Sequence, residues 1–563
     1  MNPRLQGISE IPYIFHMHDI EHAVISPGSR NAPLTLAFVS HPNINCISIT
    51  DERSAAYYAL GIAQQLQKPV VLICTSGTAL VNFGPAITEA YYLKVPLIIL
   101  SADRPPEWID QNDGQTIRQN DFFRNVVKKS FVLPVETENE EDLWHFRRIM
   151  NEAIGTCKTD NPGPVHINIP VREPLYSPLP EVAKIPPVIS VTSGNYELNA
   201  EQWQSIIQKW NACSKKLIVC GFSPVRNLKL EKMLGQLAGE NEAVVIAENL
   251  SNLYDDNFID APDRFIAALD EENREKIQPE LLITIGGSIV SKRLKKYLRT
   301  FATREHWHVD EYDLHIDTFK SLNLNIRLQP ENFFTRLTGQ GSANSDYTSL
   351  AHSQNIRAKK LHEAFISETD YSDMKACKII MEQLPPNINL HLANSTPVRY
   401  AQLFGSNKYV NYFSNRGTSG IDGCVSTAAG AALVSKRLNI LLVGDLGFIY
   451  DSNALWYNNL PGNLRIIVLD NGGGNIFKLI ETGPEVEKIK PYIETPHNVN
   501  IKGLCDAFGV NYMSAANTEE LENILPEFFK PNGLPIVLHI RTNGEVSADI
   551  FKQYFQNISK KDE

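Results

Sequence analysis

An apolar run that ends on an acid, LLVGDLGFIYDSNALW, is followed by a second, IIVLDNGGGNIF, that stops at Asp470-Asn471 and three glycines. Asp445 of the first and Asn471 of the second are separated by 25 residues, about the length of one strand–helix–strand crossover. If the two runs are adjacent parallel strands, a carboxylate and an amide oxygen meet at one point. Hard oxygen donors suit Mg²⁺, which completes its octahedron with water and phosphate oxygens. The glycines let backbone approach a ligand closely and offer it N–H or C=O groups. Taken singly, Asp445 reads as a helix cap and Asp470-Asn471-Gly472 as a tight turn. The pair, at this spacing and at two strand ends, is the less ordinary observation.

The elements that must position such residues recur along the chain. HAVISPGS, CISITDE, VVLICTSGT, LIILSADRP, LIVCGFSP, LLITIGGS, INILLVGDLG and RIIVLDNGGG are short β-branched runs bounded by Gly, Ser, Thr or Asp and followed by helical periodicity. Continuous apolar runs of this length fit parallel strands buried on both faces, and their repetition predicts an α/β protein of doubly wound, mainly parallel sheets. Ligands in such sheets sit beyond the strand C-termini, where the unusual polar clusters of this chain fall. A chain of 563 residues is too long for one core, and three domains are expected. The proline-rich stretch 174–196 and the polar, Gly/Ser-bearing stretch 330–350 read as linkers, dividing the chain into 1–173, 197–329 and 351–563. The first and third segments are similar in rhythm.

Gly-Asp, a spacer of this length, then Asn resembles the diphosphate–metal signature of thiamine diphosphate enzymes. The usual form ends in Asn-Asn, whereas this chain has Asp470-Asn471, a change at the position that does not ligate. Carried over, Asp445, the Asn471 side chain and the Gly473 carbonyl hold Mg²⁺ (or Mn²⁺ in its place) against the diphosphate, and Gly420, Gly444, Leu446, Asn475 and Ile476 line the cofactor. The resemblance also demands a glutamate, in another domain, that hydrogen-bonds the pyrimidine N1′. Glu52 in CISITDERSAAYYALGIA meets it: it follows an apolar strand and opens a helix. Alone it would read as an acid complementing a helix dipole. The following VVLICTSGTALVNFGPAITEAYYLKVPLIILSADRPP looks like the pyrimidine-binding domain of the superfamily, and GPVHINIPVREPL resembles its exit, so the first segment is the pyrimidine-binding domain, the second a central α/β domain and the third the diphosphate-binding domain.

Finer motifs, ISPGSRNAPL, TDERSA, CTSGTALVN, SADRPPEWID, GQTIRQ, SKRL, NSTPVR and SNRGTSGIDG, spread over all three segments. Together they resemble the 2-succinyl-5-enolpyruvyl-6-hydroxy-3-cyclohexene-1-carboxylate synthases of menaquinone biosynthesis, over essentially the whole chain. That family decarboxylates 2-oxoglutarate on thiamine diphosphate and adds the resulting four-carbon carbanion to isochorismate. Both substrates are dicarboxylates, and Arg30, Arg104, Lys292, Arg399 and Arg416 all lie in matching motifs. A single Arg or Lys is ordinarily a solvated surface charge; five beside Gly, Ser or Pro in strand-end loops fit carboxylate recognition. The resemblance implies that Ser29, Arg30, Arg104, Gln115 and Lys292 face isochorismate and that Ser395, Arg399 and Arg416 sit near the oxoacid or its adduct. Ile421 would prop the bent cofactor and Phe477 would line the reaction space. Asp113-Gly114 precedes Gln115 where the family pattern carries Asn, implying one polar contact fewer.

The net charge of −11 argues against nucleic-acid or anionic-membrane partners. No apolar run approaches the roughly 20 residues that span a bilayer, and the N-terminus has no signal-peptide pattern. Eight scattered cysteines without a C-x-x-C pair read as small buried hydrophobes in a reducing compartment. A cytoplasmic transferase is expected, a homodimer or homotetramer by resemblance, with its site between chains. Two alternatives are another thiamine diphosphate-dependent 2-oxoacid carboligase or decarboxylase of the acetolactate-synthase kind, and a non-catalytic Rossmann-like nucleotide-binding protein. The chain has neither G-x-G-x-x-G nor G-x-x-x-x-G-K-[ST] to support the second.

Overall fold

Strands as apolar as VVLIC and LIILSAD have no face to give to water, so helices must cover both sides of the sheet they enter. The computed structural model, which describes residues 3–559 apart from 193, 195, 302, 313, 342, 480–483 and 532, builds three such sheets. The first contains β1 (His22–Ile25), β2 (Asn45–Ser48), β3 (Val70–Cys74), β4 (Leu97–Asp103), β5 (Ser130–Val132) and β6 (Val165–Pro170) in the order β2-β1-β3-β4-β6-β5. The second contains β7 (Lys216–Cys220), β8 (Val244–Ala247), β9 (Leu281–Ile285), β10 (Glu305–Asp310) and β11 (Leu324–Arg327) in the order β11-β10-β9-β7-β8. The third contains β12 (Ile388–Leu392), β13 (Val410–Phe413), β14 (Asn439–Gly444), β15 (Leu464–Asp470), β16 (Asn511–Ala515) and β17 (Ile536–Arg541) in the order β13-β12-β14-β15-β17-β16. Every ladder is parallel, and the first and third sheets repeat one topology. β3, β4 and β6 are buried along their whole length.

The first and third sheets are joined through a helix pair, Glu52–Leu66 against Cys424–Val434. The pair is close because two glycines permit it. A Cβ on Gly61 would stand 2.0 Å from the Thr427 carbonyl oxygen, and one on Gly430 2.2 Å from that of Tyr58. The helix that begins with Glu52 is therefore fixed against the third sheet by backbone contact. The middle sheet docks through Asn252, whose side chain accepts from the Tyr412 N–H (2.8 Å) and donates to the Tyr412 carbonyl (2.9 Å).

Residues 330–350 differ from the linker that their composition suggests. They hold the helix Pro330–Leu337 and the first turns of Ser345–Glu368. Phe333, Phe334 and Leu337 are the physical reason: they bury themselves in the middle domain's core beside Trp307. The described residues of 174–196 contain no helix or strand. All eight cysteines are free thiols, seven buried and Cys46 half-buried. Among the described residues no helix is long and apolar enough to cross a membrane.

Candidate functional site

β14 and β15 are neighbours in register, Gly444 beside Leu469, so the two apolar runs deliver Asp445 and Asn471 to one rim of the third sheet. Asp445 is buried, and its carboxylate accepts from the Leu446 N–H (2.6 Å) and the Gly473 N–H (2.8 Å), with His497 Nε2 3.2 Å away. Burial pushes its pKa up to about 6 against the pull of those donors. The Asn471 amide donates to Asp373 (2.7 Å), which fixes the side chain and leaves Oδ1 a buried acceptor without a partner. Asn475 is buried with both ends of its amide unpartnered. Orphaned polar atoms of this kind are rare in folded proteins, and a group of them beside a carboxylate fits a cation and an anionic ligand. Gly473 has φ +147°, and a Cβ there would come 2.6 Å from the Glu494 carbonyl, so the loop closes only with glycine.

Asp470, the departure from Asn-Asn, is not idle. It accepts from His539 Nε2 (2.7 Å), whose Nδ1 lies 2.8 Å from the Tyr512 hydroxyl. Burial opposes its ionisation, but the hydrogen bond and charge of His539 hold it below the ordinary carboxylate range. Atoms of Asp445, Asp470 and His497 lie within 4.8 Å of one another, the one such cluster of three potential metal ligands among the described residues.

A cleft of about 160 Å³ opens at this rim, lined by Ser395, Ile421, Gly444, Asp445, Leu446, Asn471, Gly473, Asn475, Ile476 and Phe477 among others. Ile476 and Phe477 also wall an annex of about 300 Å³ together with Lys292, Arg293 and Arg399. The Arg399 guanidinium is half-buried with an unpartnered Nε, and no carboxylate ion-pairs with it among the described residues. Arg416 donates to Asn394 Oδ1 (2.6 Å); Asn394 in turn donates to the carbonyls of Asn415 (2.7 Å) and Gly420 (2.6 Å), holding the Arg416–Gly420 loop at the cleft edge. Burial lowers the pKa of both arginines.

Two buried carboxylates from the other domains, with no place in the sequence reading, clamp these loops. Glu89 accepts from the N–H groups of Gly417 (2.7 Å) and Thr418 (2.6 Å). Glu248, at the end of β8, accepts from those of Val290 (2.6 Å) and Ser291 (2.7 Å), just before Lys292. VVIAEN, an apolar run ending on an acid, was the available signal for Glu248; Glu89 lies inside a helix and carries none.

The N-terminal residues are elsewhere. Glu52 accepts from Asn82 (3.2 Å). Its neighbours are tied to the segment beyond Asp445, Arg53 to the Tyr450 carbonyl (2.7 Å) and Asp51 to Asn453 (2.7 Å). Arg30 is buried, donating to the Val171 carbonyl (3.1 Å) and pairing with Glu173 (3.2 Å). Arg104 is gripped by Asp113, the residue just before Gly114, and donates to Ser76 (3.3 Å). Ser29 and Gln115 are exposed. None of these residues lines the cleft or its annex.

Three family models match in succession: the thiamine pyrophosphate enzyme N-terminal binding domain over residues 11–122, the middle domain over 197–392 and the C-terminal binding domain over 395–540. Relatives named 2-succinyl-5-enolpyruvyl-6-hydroxy-3-cyclohexene-1-carboxylate synthase are similar along almost their whole length. The Christiangramia forsetii protein is 40% identical, covering 95% of this chain and 96% of its own. That of Flavobacterium psychrophilum is 40% identical (99% and 100%), and that of Porphyromonas gingivalis 38% (98% and 97%).

Proposed function

Since the chain belongs to the family of 2-succinyl-5-enolpyruvyl-6-hydroxy-3-cyclohexene-1-carboxylate synthases, thiamine diphosphate enzymes, we propose that it decarboxylates 2-oxoglutarate and joins the remaining four-carbon unit to isochorismate, releasing CO₂, in menaquinone biosynthesis. One observation carries the reading at the site. A buried carboxylate and an orphaned amide oxygen end neighbouring strands, and the adjoining annex is lined by Lys292 and Arg399.

Asp445, Asn471 Oδ1 and the Gly473 carbonyl would hold Mg²⁺, or Mn²⁺ in its place, and through it the diphosphate. Gly420, Gly444, Leu446, Asn475 and Ile476 would surround the cofactor, with Ile421 supporting its bend. When bound, thiamine diphosphate supplies the electron sink that takes up the pair released as CO₂ leaves. The chain's own residues bind, orient and exclude water. Ser395, Arg399 and Arg416 hold the oxoacid; Ser29, Arg30, Arg104, Gln115 and Lys292 hold isochorismate; Glu52 holds a hydrogen bond to the pyrimidine N1′. Ile476 and Phe477 present apolar surface, which disfavours a localised carboxylate charge and so assists loss of CO₂.

That the N-terminal residues line neither cavity of their own chain supports a site completed by a second copy, and the protein is read as a cytoplasmic homodimer or homotetramer. The test is CO₂ release from 2-oxoglutarate by the purified protein with and without isochorismate, and with pyruvate in its place. Turnover that needs 2-oxoglutarate and is coupled to isochorismate is expected. Preference for pyruvate would transfer the protein to the acetolactate-synthase kind of carboligase.

A further inference from the structure

The helix Lys292–Thr300, KRLKKYLRT, carries five basic residues and no acid. It buries Leu294, Tyr297 and Leu298, while Lys292, Lys296 and Arg299 are exposed and Lys295 is half-buried. Some helical lysines elsewhere are answered one turn away, Lys276 by Glu272, Lys378 by Glu382 and Lys502 by Asp506. Among the described residues no carboxylate forms an ion pair with Lys292, Lys295, Lys296 or Arg299.

These charges line a route. Lys292, Lys295, Lys296, Arg299 and Thr300 border an open cleft of about 540 Å³. Lys292 also lines the annex with Arg399, and the annex shares Ile476 and Phe477 with the diphosphate cleft. The three spaces thus adjoin through common side chains. Burial holds Lys295 below the ordinary ammonium range, and the charges of Arg416, Arg299 and Arg399 press the same way against Glu248. Asp263 also lines the annex, but Lys292, Arg293 and Arg399 outnumber it there, so the annex and the helix face both carry net positive charge. From Lys292 to Arg299 the helix rises only about 10 Å, close to the screening length at physiological salt, so the charges act on an approaching ion together.

We propose that this helix face is the entry path for dicarboxylate substrates, with Lys296 and Arg299 as its outer attracting charges and Lys295 leading to Lys292 and the annex. The path gives an acidic chain, net −11, a local field of the opposite sign. A surface lined by one charge raises the local concentration of an oppositely charged ligand and its rate of arrival. The inference rests on the reaction proposed above, and both substrates would pass this way in turn.

The test compares wild type with Lys296→Glu and with Lys296→Glu/Arg299→Glu. The single variant guards against loss of the Arg299 bond to the Thr318 carbonyl (2.8 Å). In low salt the double variant should lose about tenfold in kcat/KM for each substrate, the single variant less, with kcat unchanged and the deficit gone by high salt. A salt-independent deficit, a fall in kcat, a loss confined to one substrate, or wild-type values throughout would overturn the path. Failure of the reaction itself would show in wild type alone, as no turnover of 2-oxoglutarate with isochorismate. The path is then read from succinate, an inert dicarboxylate. Its stabilisation of the protein loaded with thiamine diphosphate and Mg²⁺ should be larger in wild type than in the variants at low salt and equal at high salt. Equal stabilisation at low salt would overturn the proposal on this measure too.

Discussion

Arg104 is gripped by Asp113 and Arg30 by Glu173, whereas Arg399 and Lys292, which share the annex wall with Asp263, form no ion pair with a carboxylate among the described residues. In the N-terminal half of the candidate site the two arginines have internal carboxylate partners, although Arg30 Nε is unpartnered; in the half built by the middle and C-terminal domains Arg399 and Lys292 have none among the described residues. The difference is energetic. A buried acceptor without a partner, such as Asn471 Oδ1, costs about 1–3 kcal/mol, which a bound cation returns. Asp113 is exposed, and water screens an exposed ion pair to little net worth, so on the proposed function a substrate carboxylate would displace it at little cost. On the proposed function, one half would act as a preformed receptor and the other would exchange an internal acid for the ligand's.

The comparison breaks hardest at the two ends of the cofactor. Asp445→Ala should abolish stabilisation by thiamine diphosphate with Mg²⁺, with affinity reduced more than about 100-fold, since losing even a supporting partner of a metal ligand costs roughly 10–100-fold. Glu52→Gln should instead keep that melting shift and lose about 10²–10⁴-fold in turnover. Near-normal activity would remove Glu52 from its role. Next in size, Arg399→Ala should raise KM for 2-oxoglutarate by about 10–100-fold, the equivalent of one hydrogen bond between charged groups. An unchanged KM would show that the annex arginine meets no substrate.

Smaller is the effect of pH on metal binding. With Asp445 pushed up to about 6 by burial, the free carboxylate is charged above that pH and protonated below it. Metal and proton then compete, and the Kd for Mg²⁺ should rise roughly tenfold per pH unit below 6. A flat profile in calorimetric titrations from pH 4.5 to 7.5 would contradict it. Smallest of all, Asp113→Ala should leave the melting temperature nearly unchanged, the pair being solvent-screened, and lower KM for isochorismate a few-fold by freeing Arg104. A higher KM would mean that Asp113 orients the guanidinium rather than competing for it.

Much of the site was legible because parallel strands buried on both faces admit polar residues only at their ends. Asp445 and Asn471 stand immediately past a strand and Ser395 a few residues past one, where the apolar runs point; Arg399 lies farther on, inside the helix Thr396–Leu403. Glu248 obeys the same pattern and was available. Glu89 was not: it lies in a helix, and the Gly417 N–H it clamps is 328 residues away. Residues 330–350 misled through their Gly, Ser and Asn, while the two phenylalanines that fold the segment onto the middle domain were outvoted in composition.

By itself the sequence determined the doubly wound architecture, the family and the chemical types gathered at the strand ends, because apolar periodicity and local motif are properties of neighbouring residues. Only the tertiary structure decided which charges are answered. That Asp113 closes on Arg104 depends on how the loop after β4 folds back, and that the basic helix borders the annex beside an open Arg399 depends on how the middle and third sheets dock, because Coulomb partners are set by distance in space.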